Sequence, residues 1–267
     1  MDENILFSRK STSAGVRQRG AFPPMNIDLN PIQRFVEDLA MFVRITTDPT
    51  RRPNSLRDLG LTSGSNPAVS LSEFSYKKGT EIYGEKEAAD YVYQVKTGAV
   101  RSYKLLSDGR RQIGAFHLAG DIFGLENGNS HRFTAEAIVD TTVRLIRRQT
   151  LELVADSDPV VANNLLTMTT NNLQHAEDHM LLLGRKTSLE RVAAFILEMD
   201  QRLTGAEVIA LPMSRRDIAD YLGLTLETVS RALSRLHELS IIDFIGNTQR
   251  QIVLSDRRKL ATIDLQG

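Results

Sequence analysis

Cysteine is absent from the 267 residues. Without a thiol the chain cannot form a disulfide, a thiolate zinc site or a cysteine-ligated iron–sulfur cluster. It has no apolar run near the roughly 18 residues needed to cross a bilayer. Its first residues (MDENILFSRKSTSAG) hold no apolar signal core, so a cytoplasmic protein away from membranes is expected. An excess of one charge is missing too: 33 basic residues face 33 acidic ones, and from Arg185 onward the two kinds stay almost equal. Affinity for a polyanion would have to come from charge focused on one face. No HExxH, P-loop, GxGxxG or suitably spaced Ser–His–Asp set occurs, which argues against an enzyme.

What is present divides into four stretches. Residues 1–70 read as an extension: polar and aperiodic to Met25, with one helix expected at about 30–45 (Ile32, Phe35, Leu39, Phe42, Val43) after Asn30-Pro31, then a Pro- and Ser-rich loop. Residues 71–157 carry short alternating segments, among them Tyr91–Val95, Ala99–Leu105, Arg111–His117, Ala135–Ile138 and Thr142–Ile146. Gly-based turns such as Thr97-Gly98 and Asp108-Gly109 separate them, the pattern of an antiparallel sandwich or barrel. Asp158-Pro159 opens a long helix to residue 184. Its small and apolar positions Ala162, Leu166, Thr169, Leu173, Ala176, Met180 and Leu183 alternate spacings of four and three, the seam of a two-helix coiled coil. Packing of that stripe on its own domain is the alternative. Residues 185–267 form a further domain, with helices expected at Ser188–Leu203, Ser214–Tyr221 and Leu226–Ser240 and two closing strands. The fold class is therefore α+β.

The most informative stretch is Ser214–Leu239. Ser214 and Asp217 fit a capping box, Leu222-Gly223-Leu224 a tight turn, and Thr225 the cap of a second helix with Leu226, Val229, Leu233 and Leu236 inward. That is helix-turn-helix geometry, whose second helix sets its first turns against base edges in the major groove. Arg231 is long enough to pair bidentately with guanine, Glu227 can accept from cytosine or steady Arg231, and Ser230 can donate, accept or touch a thymine methyl. Ser214, Arg215, Arg216, Thr225, Thr228 and Arg235 are candidates for the phosphate backbone or the helix starts beside it.

Arg215–Arg231 (RRDIADYLGLTLETVSR) resembles the DNA-binding signature of the CRP/FNR family. Its Glu227-Thr228-Val229-Ser230-Arg231 is similar to the FNR and FixK branch, where serine precedes the arginine. Val95–Arg101, Asp108–Ile113 and Gly120–Gly124 resemble the family's β-roll, and Leu183–Ala193 the segment joining the dimer helix to the DNA domain. The resemblance covers about Leu71–Leu254. It implies a cyclic-nucleotide-binding-like β-roll (jelly roll), a dimerisation helix and a winged helix-turn-helix. It further implies a homodimeric transcription activator on palindromic TTGAT-like half-sites of double-stranded DNA, serving low-oxygen or nitrogen-fixation genes, with RNA polymerase as partner.

Departures from the pattern bear on ligands. The stretch Leu125–Thr134 is short for a cyclic-nucleotide cradle; Glu126 and Arg132 are its only possible survivors, and Phe133 stands where a small partner belongs. The oxygen-sensing branch's cysteine cluster cannot exist here. His117 and His131, which a haem variant would use, read as surface residues, and His175 and His179 as coiled-coil flanks rather than a metal pair. The FixK-type reading therefore expects no cofactor and no metal, and treats the β-roll as a platform for RNA polymerase. The alternative is a cyclic-nucleotide- or haem-gated sensor of the same family.

Overall fold

The computed structural model describes Leu56, Leu59, Leu61 and residues 71–203, 208–246 and 249–264. The helix expected at about 30–45 and the polar stretch before it lie outside the described residues. Eight strands form two four-stranded antiparallel sheets. One holds β1 (Ser72–Tyr76), β8 (Thr141–Arg147), β3 (Tyr91–Thr97) and β6 (Ile122–Phe123), in that order; the other β2 (Glu81–Tyr83), β7 (Thr134–Ala137), β4 (Ala99–Leu105) and β5 (Arg111–Leu118). The alternation expected from the sequence is the cause: Val95 and Val143 point inward on paired strands, as do Ala135 and Ala137 opposite, while Val92 and Ile146 are buried on the other face of their sheet. Between β3 and β4 the turn requires glycine. Gly98 has φ +93°, and a Cβ there would lie 2.4 Å from the Thr141 hydroxyl. That buried hydroxyl accepts from the Ala99 amide at 3.1 Å and donates to the Val139 carbonyl at 2.7 Å, so it joins both sheets.

The roll's interior is filled by rings. Tyr83 stacks on His131 with centroids 3.6 Å apart, and Tyr93 lies 5.1 Å from Tyr83 and 5.2 Å from Phe123. His131 is thus not a surface residue: only 1% of it is exposed, and neither ring nitrogen makes a hydrogen bond, although Glu126 Oε1 lies 3.6 Å from Nδ1. His117 also lies inward of expectation, half-buried with Nε2 2.8 Å from the Ser102 hydroxyl. Burial holds both imidazoles below their usual 6.5, His117 at about 3.

Two features of the roll were not legible as elements. A helix, α1 (Arg148–Ser157), follows β8 where the sequence reading continued the roll to 157. In addition, Leu56, Leu59 and Leu61, expected in a loop of the extension, are buried against Val92, Ile146, Leu151, Val154, Val161 and Met168. The core therefore begins before residue 70. These leucines have no periodicity, so only the groove they fill marks them as core.

The long helix α2 (Pro159–Arg185) starts where expected. The Asp158 carboxylate accepts from the Val160 amide at 2.9 Å, and Pro159 stands in the first turn. It buries Val161 and Met168 on its own chain and leaves Leu166, Leu173 and Met180 exposed at 66, 59 and 65%. Helix α3 (Ser188–Arg202) follows, with a capping box from Thr187 and Glu190. Then come β9 (Val208–Ala210), α4 (Arg215–Leu222), α5 (Leu226–Glu238), β10 (Ile242–Ile245), β11 (Gln251–Leu254) and α6 (Arg257–Asp264). Strands β10, β11 and β9 make the three-stranded sheet of a winged helix-turn-helix. Strand β9 and helix α6 were not anticipated; each is short and owes its form to its neighbours. Among the described residues no helix is long and apolar enough to cross a membrane.

Replacing His131 by phenylalanine is expected to stabilise the protein, because a buried polar group that makes no hydrogen bond costs about 1–3 kcal/mol, more than a 3.6 Å contact with Glu126 returns. The gain should grow as pH falls below 6.5: the unfolded chain then binds a proton that the buried imidazole refuses, and the Phe variant has no such proton. Thermal denaturation at pH 7.5 and 5.5 checks both. A lower melting temperature for His131→Phe at both values would mean that the ring nitrogens have partners.

Candidate nucleic-acid interface

Local hydrogen bonding builds the two helices of the reading head. The Ser214 hydroxyl accepts from the Asp217 amide at 3.2 Å, and the Ser214 amide donates to Asp217 Oδ2 at 2.9 Å, the expected capping box. Gly223 closes α4 in the left-handed region, φ +63°. Thr225 caps α5, accepting from the Thr228 amide at 3.2 Å, with the two hydroxyls 3.0 Å apart. Val229, Ala232, Leu233 and Leu236 are the buried residues of α5, with Leu226 half-buried. The helix is held on one side, and Glu227 and Arg231 stand exposed on the other.

The candidate base-reading residues lie together at the start of α5. The carboxyl of Glu227 is held below its usual 4.5 by its own backbone amide and the Thr225 hydroxyl, with Arg216 and Arg231 adding attraction. Ser230 is half-buried and accepts from Arg215 Nη1 at 3.2 Å. Arg215 also donates to Gln249 at the base of the wing and lies over the Phe244 ring, so in this structure it links α5 to the wing. Arg216 is exposed, whereas Arg235 pairs with Glu238 at 3.1 Å. Ser214 and Thr225 have their hydroxyls engaged in capping.

Arg191 ties this head to the long helix. Its guanidinium donates to the carbonyls of Leu183 (2.7 Å) and Leu222 (3.0 Å), and Nε to Lys186 (2.9 Å), satisfying carbonyls at the ends of α2 and α4. His175 and His179 face inward rather than flanking a coiled coil. His175 Nε2 lies 3.1 Å from Glu198, and the His179 ring stacks on Tyr221 at 4.2 Å. Among the described residues no cluster of three or more metal-ligating side chains occurs.

Nothing in the sequence marks Arg101 or Arg111, whose partners on the reading head lie more than a hundred residues away. Both reach from the β-roll to Asp217 Oδ1, each at 2.7 Å; Arg101 also binds Glu136 at 2.6 Å and Arg111 binds Asp220 at 2.7 Å. Burial pushes the Asp217 carboxyl up, but Ser214 and the two guanidiniums outweigh it and hold it below 3.8. Ile113 and Phe116 of the roll share a core with Phe195 and Tyr221, and Arg202 of α3 donates to the Phe116 carbonyl and Asp121.

A β-roll, a long helix with an exposed apolar stripe and a winged helix-turn-helix carrying Glu227 and Arg231 outward define a DNA-binding transcription regulator. The Crp-like helix-turn-helix domain family matches residues 190–263, and the cyclic nucleotide-binding domain family matches 73–158. The chain is 46% identical over 168 residues to the nitrogen fixation regulation protein FixK of Rhizobium meliloti, covering 63% of this chain and 76% of that protein. It is 44% identical over 225 residues to FixK of Azorhizobium caulinodans, covering 82% and 86%. The solved structure of FixK2 from Bradyrhizobium japonicum matches with TM-score 0.71 and 66% identity, over 74% of this chain and 99% of that one. The chain belongs to the CRP/FNR family, in its FixK branch.

Asp217→Asn should destabilise the protein by on the order of 3 kcal/mol, because it leaves Arg101 and Arg111 facing an uncharged group in a poorly solvated contact. Urea unfolding at neutral pH measures this. An unchanged midpoint would mean that the ion pairs between roll and head do not form in solution.

Proposed function

We propose that the protein is a homodimeric activator that binds palindromic sites built of TTGAT-like half-sites and recruits RNA polymerase through its β-roll, in the cytoplasm, at low-oxygen or nitrogen-fixation genes. The observation that carries the reading is Glu227 and Arg231 exposed on a capped helix whose other side is buried, with Ser230 half-buried beside them under Arg215. Arg231 reads the guanine, Glu227 accepts from cytosine or steadies Arg231, and Ser230 completes the edge contact. The names of the FixK relatives support the choice of genes.

Dimerisation is supported by the stripe on α2. Ala162, Leu166, Thr169, Leu173, Ala176 and Met180 are all exposed in one chain and Leu183 half-exposed, while Val161 and Met168 are buried on another side of the helix. Two such stripes pack as a coiled coil and set the recognition helices about one DNA turn apart. The gated-sensor alternative is disfavoured by the interior of the roll. Tyr83, Tyr93, Phe123 and His131 fill it, and Glu126 pairs with Arg132, whose side chain is turned to solvent.

Arg231→Ala should lose about 1–3 kcal/mol per half-site on a consensus palindrome, and much less on the same duplex with its guanines replaced. Equal losses on both duplexes, measured by fluorescence anisotropy, would make Arg231 a backbone contact. Leu173→Asp buries repelling carboxylates in the seam and should leave a monomer with collapsed DNA affinity. Sedimentation equilibrium showing a dimer would move the interface elsewhere.

A further inference from the structure

Arg215 opens α4 but does not reach outward from it. Its side chain is half-buried and lies over the Phe244 ring of β10, 5.8 Å from the centroid. Nη2 donates to the Gln249 side-chain carbonyl, and Nη1 to the Ser230 hydroxyl at 3.2 Å. Both acceptors are neutral. Gln249, at the base of the wing, has φ +52°, in the left-handed region that favours glycine. A glutamine held there turns its amide oxygen to Arg215 at the expense of backbone strain, and such strain collects at functional positions. An arginine that serves a phosphate would instead stand exposed, as its neighbour Arg216 does.

A serine hydroxyl has a single hydrogen to donate and lone pairs with which to accept, whereas a guanidinium has no acceptor. Facing Arg215, the Ser230 oxygen can therefore only accept, and its hydrogen points elsewhere. Helical hydroxyls commonly direct that hydrogen to the carbonyl one turn back, as Thr167, Thr169 and Thr170 do at 2.9, 2.8 and 2.9 Å. Among the described residues Ser230 makes no such bond. We infer that Arg215 is a positioning residue for base specificity: braced by Phe244 and Gln249, it fixes Ser230 as a hydrogen-bond donor, so that Ser230 selects a base edge offering an acceptor and refuses one offering only a donor. The inference rests on the DNA-reading role proposed above. In the major groove guanine, adenine N7 and thymine O4 accept, whereas cytosine shows only its N4 amino group. An unbraced serine would be ambivalent, since a rotating hydroxyl meets either kind. The guanidinium removes that freedom.

Affinities of the full-length protein for palindromic duplexes, varied one base pair at a time in both half-sites, test this. Ser230→Ala marks the position that Ser230 reads, because base preference flattens there. At that position the parent should favour an acceptor base over cytosine by about fivefold for each half-site, the contribution of one hydrogen bond. Arg215→Met should lose that preference. Its discrimination at the guanine read by Arg231, and its slope of log affinity against log salt, should stay as in the parent. The double variant should be no flatter than Arg215→Met alone, since both residues act through one hydroxyl. Gln249→Gly, which suits the left-handed backbone and removes the brace, should weaken the same preference and no other. A full penalty against cytosine in either variant overturns the inference. So does a Ser230→Ala protein that keeps every preference of the parent. An equal loss by Arg215→Met on all duplexes overturns it as well: with a shallower salt slope Arg215 holds a phosphate, and with the parent's slope it only supports the fold. Arg231→Ala on the same duplexes separates the two readings. If it keeps guanine discrimination, the reading face is misassigned; if it loses it while Arg215→Met still rejects cytosine, only the role of Arg215 falls.

Discussion

The carboxylate of Asp217 has two sets of partners. One oxygen completes the cap of α4 with Ser214, and the other receives guanidinium groups from two strands of the β-roll. A buried carboxylate with a single partner would sit in an unfavourable environment; with this many donors it stays ionised and its surroundings are held rigid. The start of the helix-turn-helix is thereby tied to the domain that precedes it. Arg202 and the core shared by Phe116, Phe195 and Tyr221 reinforce that attachment.

Base reading demands fixed geometry, and the reading head obtains it by leaving few helix ends unsatisfied. Thr225 closes the start of α5, Gly223 the end of α4, and Arg191 gathers carbonyls from two helix ends at once. The same guanidinium joins α2 to the head. Through it, the orientation of the exposed stripe on α2 and that of α5 are coupled by hydrogen bonds rather than by a flexible linker. Tyr221 strengthens this junction, packed between Phe116 of the roll and His179 of the long helix.

The β-roll, similar to a cyclic nucleotide-binding domain, has an interior packed with aromatic rings. His131 stacks on Tyr83 inside the roll, while its neighbour Arg132 pairs with Glu126 and is turned to solvent. A filled interior is stiffer than a pocket, which suits a domain that serves as support for the reading head.

Much of this architecture was legible in the residue order. The exposed stripe on α2, the two caps, the left-handed glycine and the outward Glu227 and Arg231 all depend on neighbours within a turn or two of helix. Hydrogen bonds and periodicity of that range are written directly into the sequence. Tertiary structure alone decided that Leu56, Leu59 and Leu61 are core, that His131, His175 and His179 turn inward, that Arg215 holds Ser230, and that Arg101 and Arg111 meet Asp217. Those outcomes join residues remote in sequence or on separate elements. An arginine on a strand carries no local mark of the carboxylate it will find, because only the closing of the chain brings the two within reach.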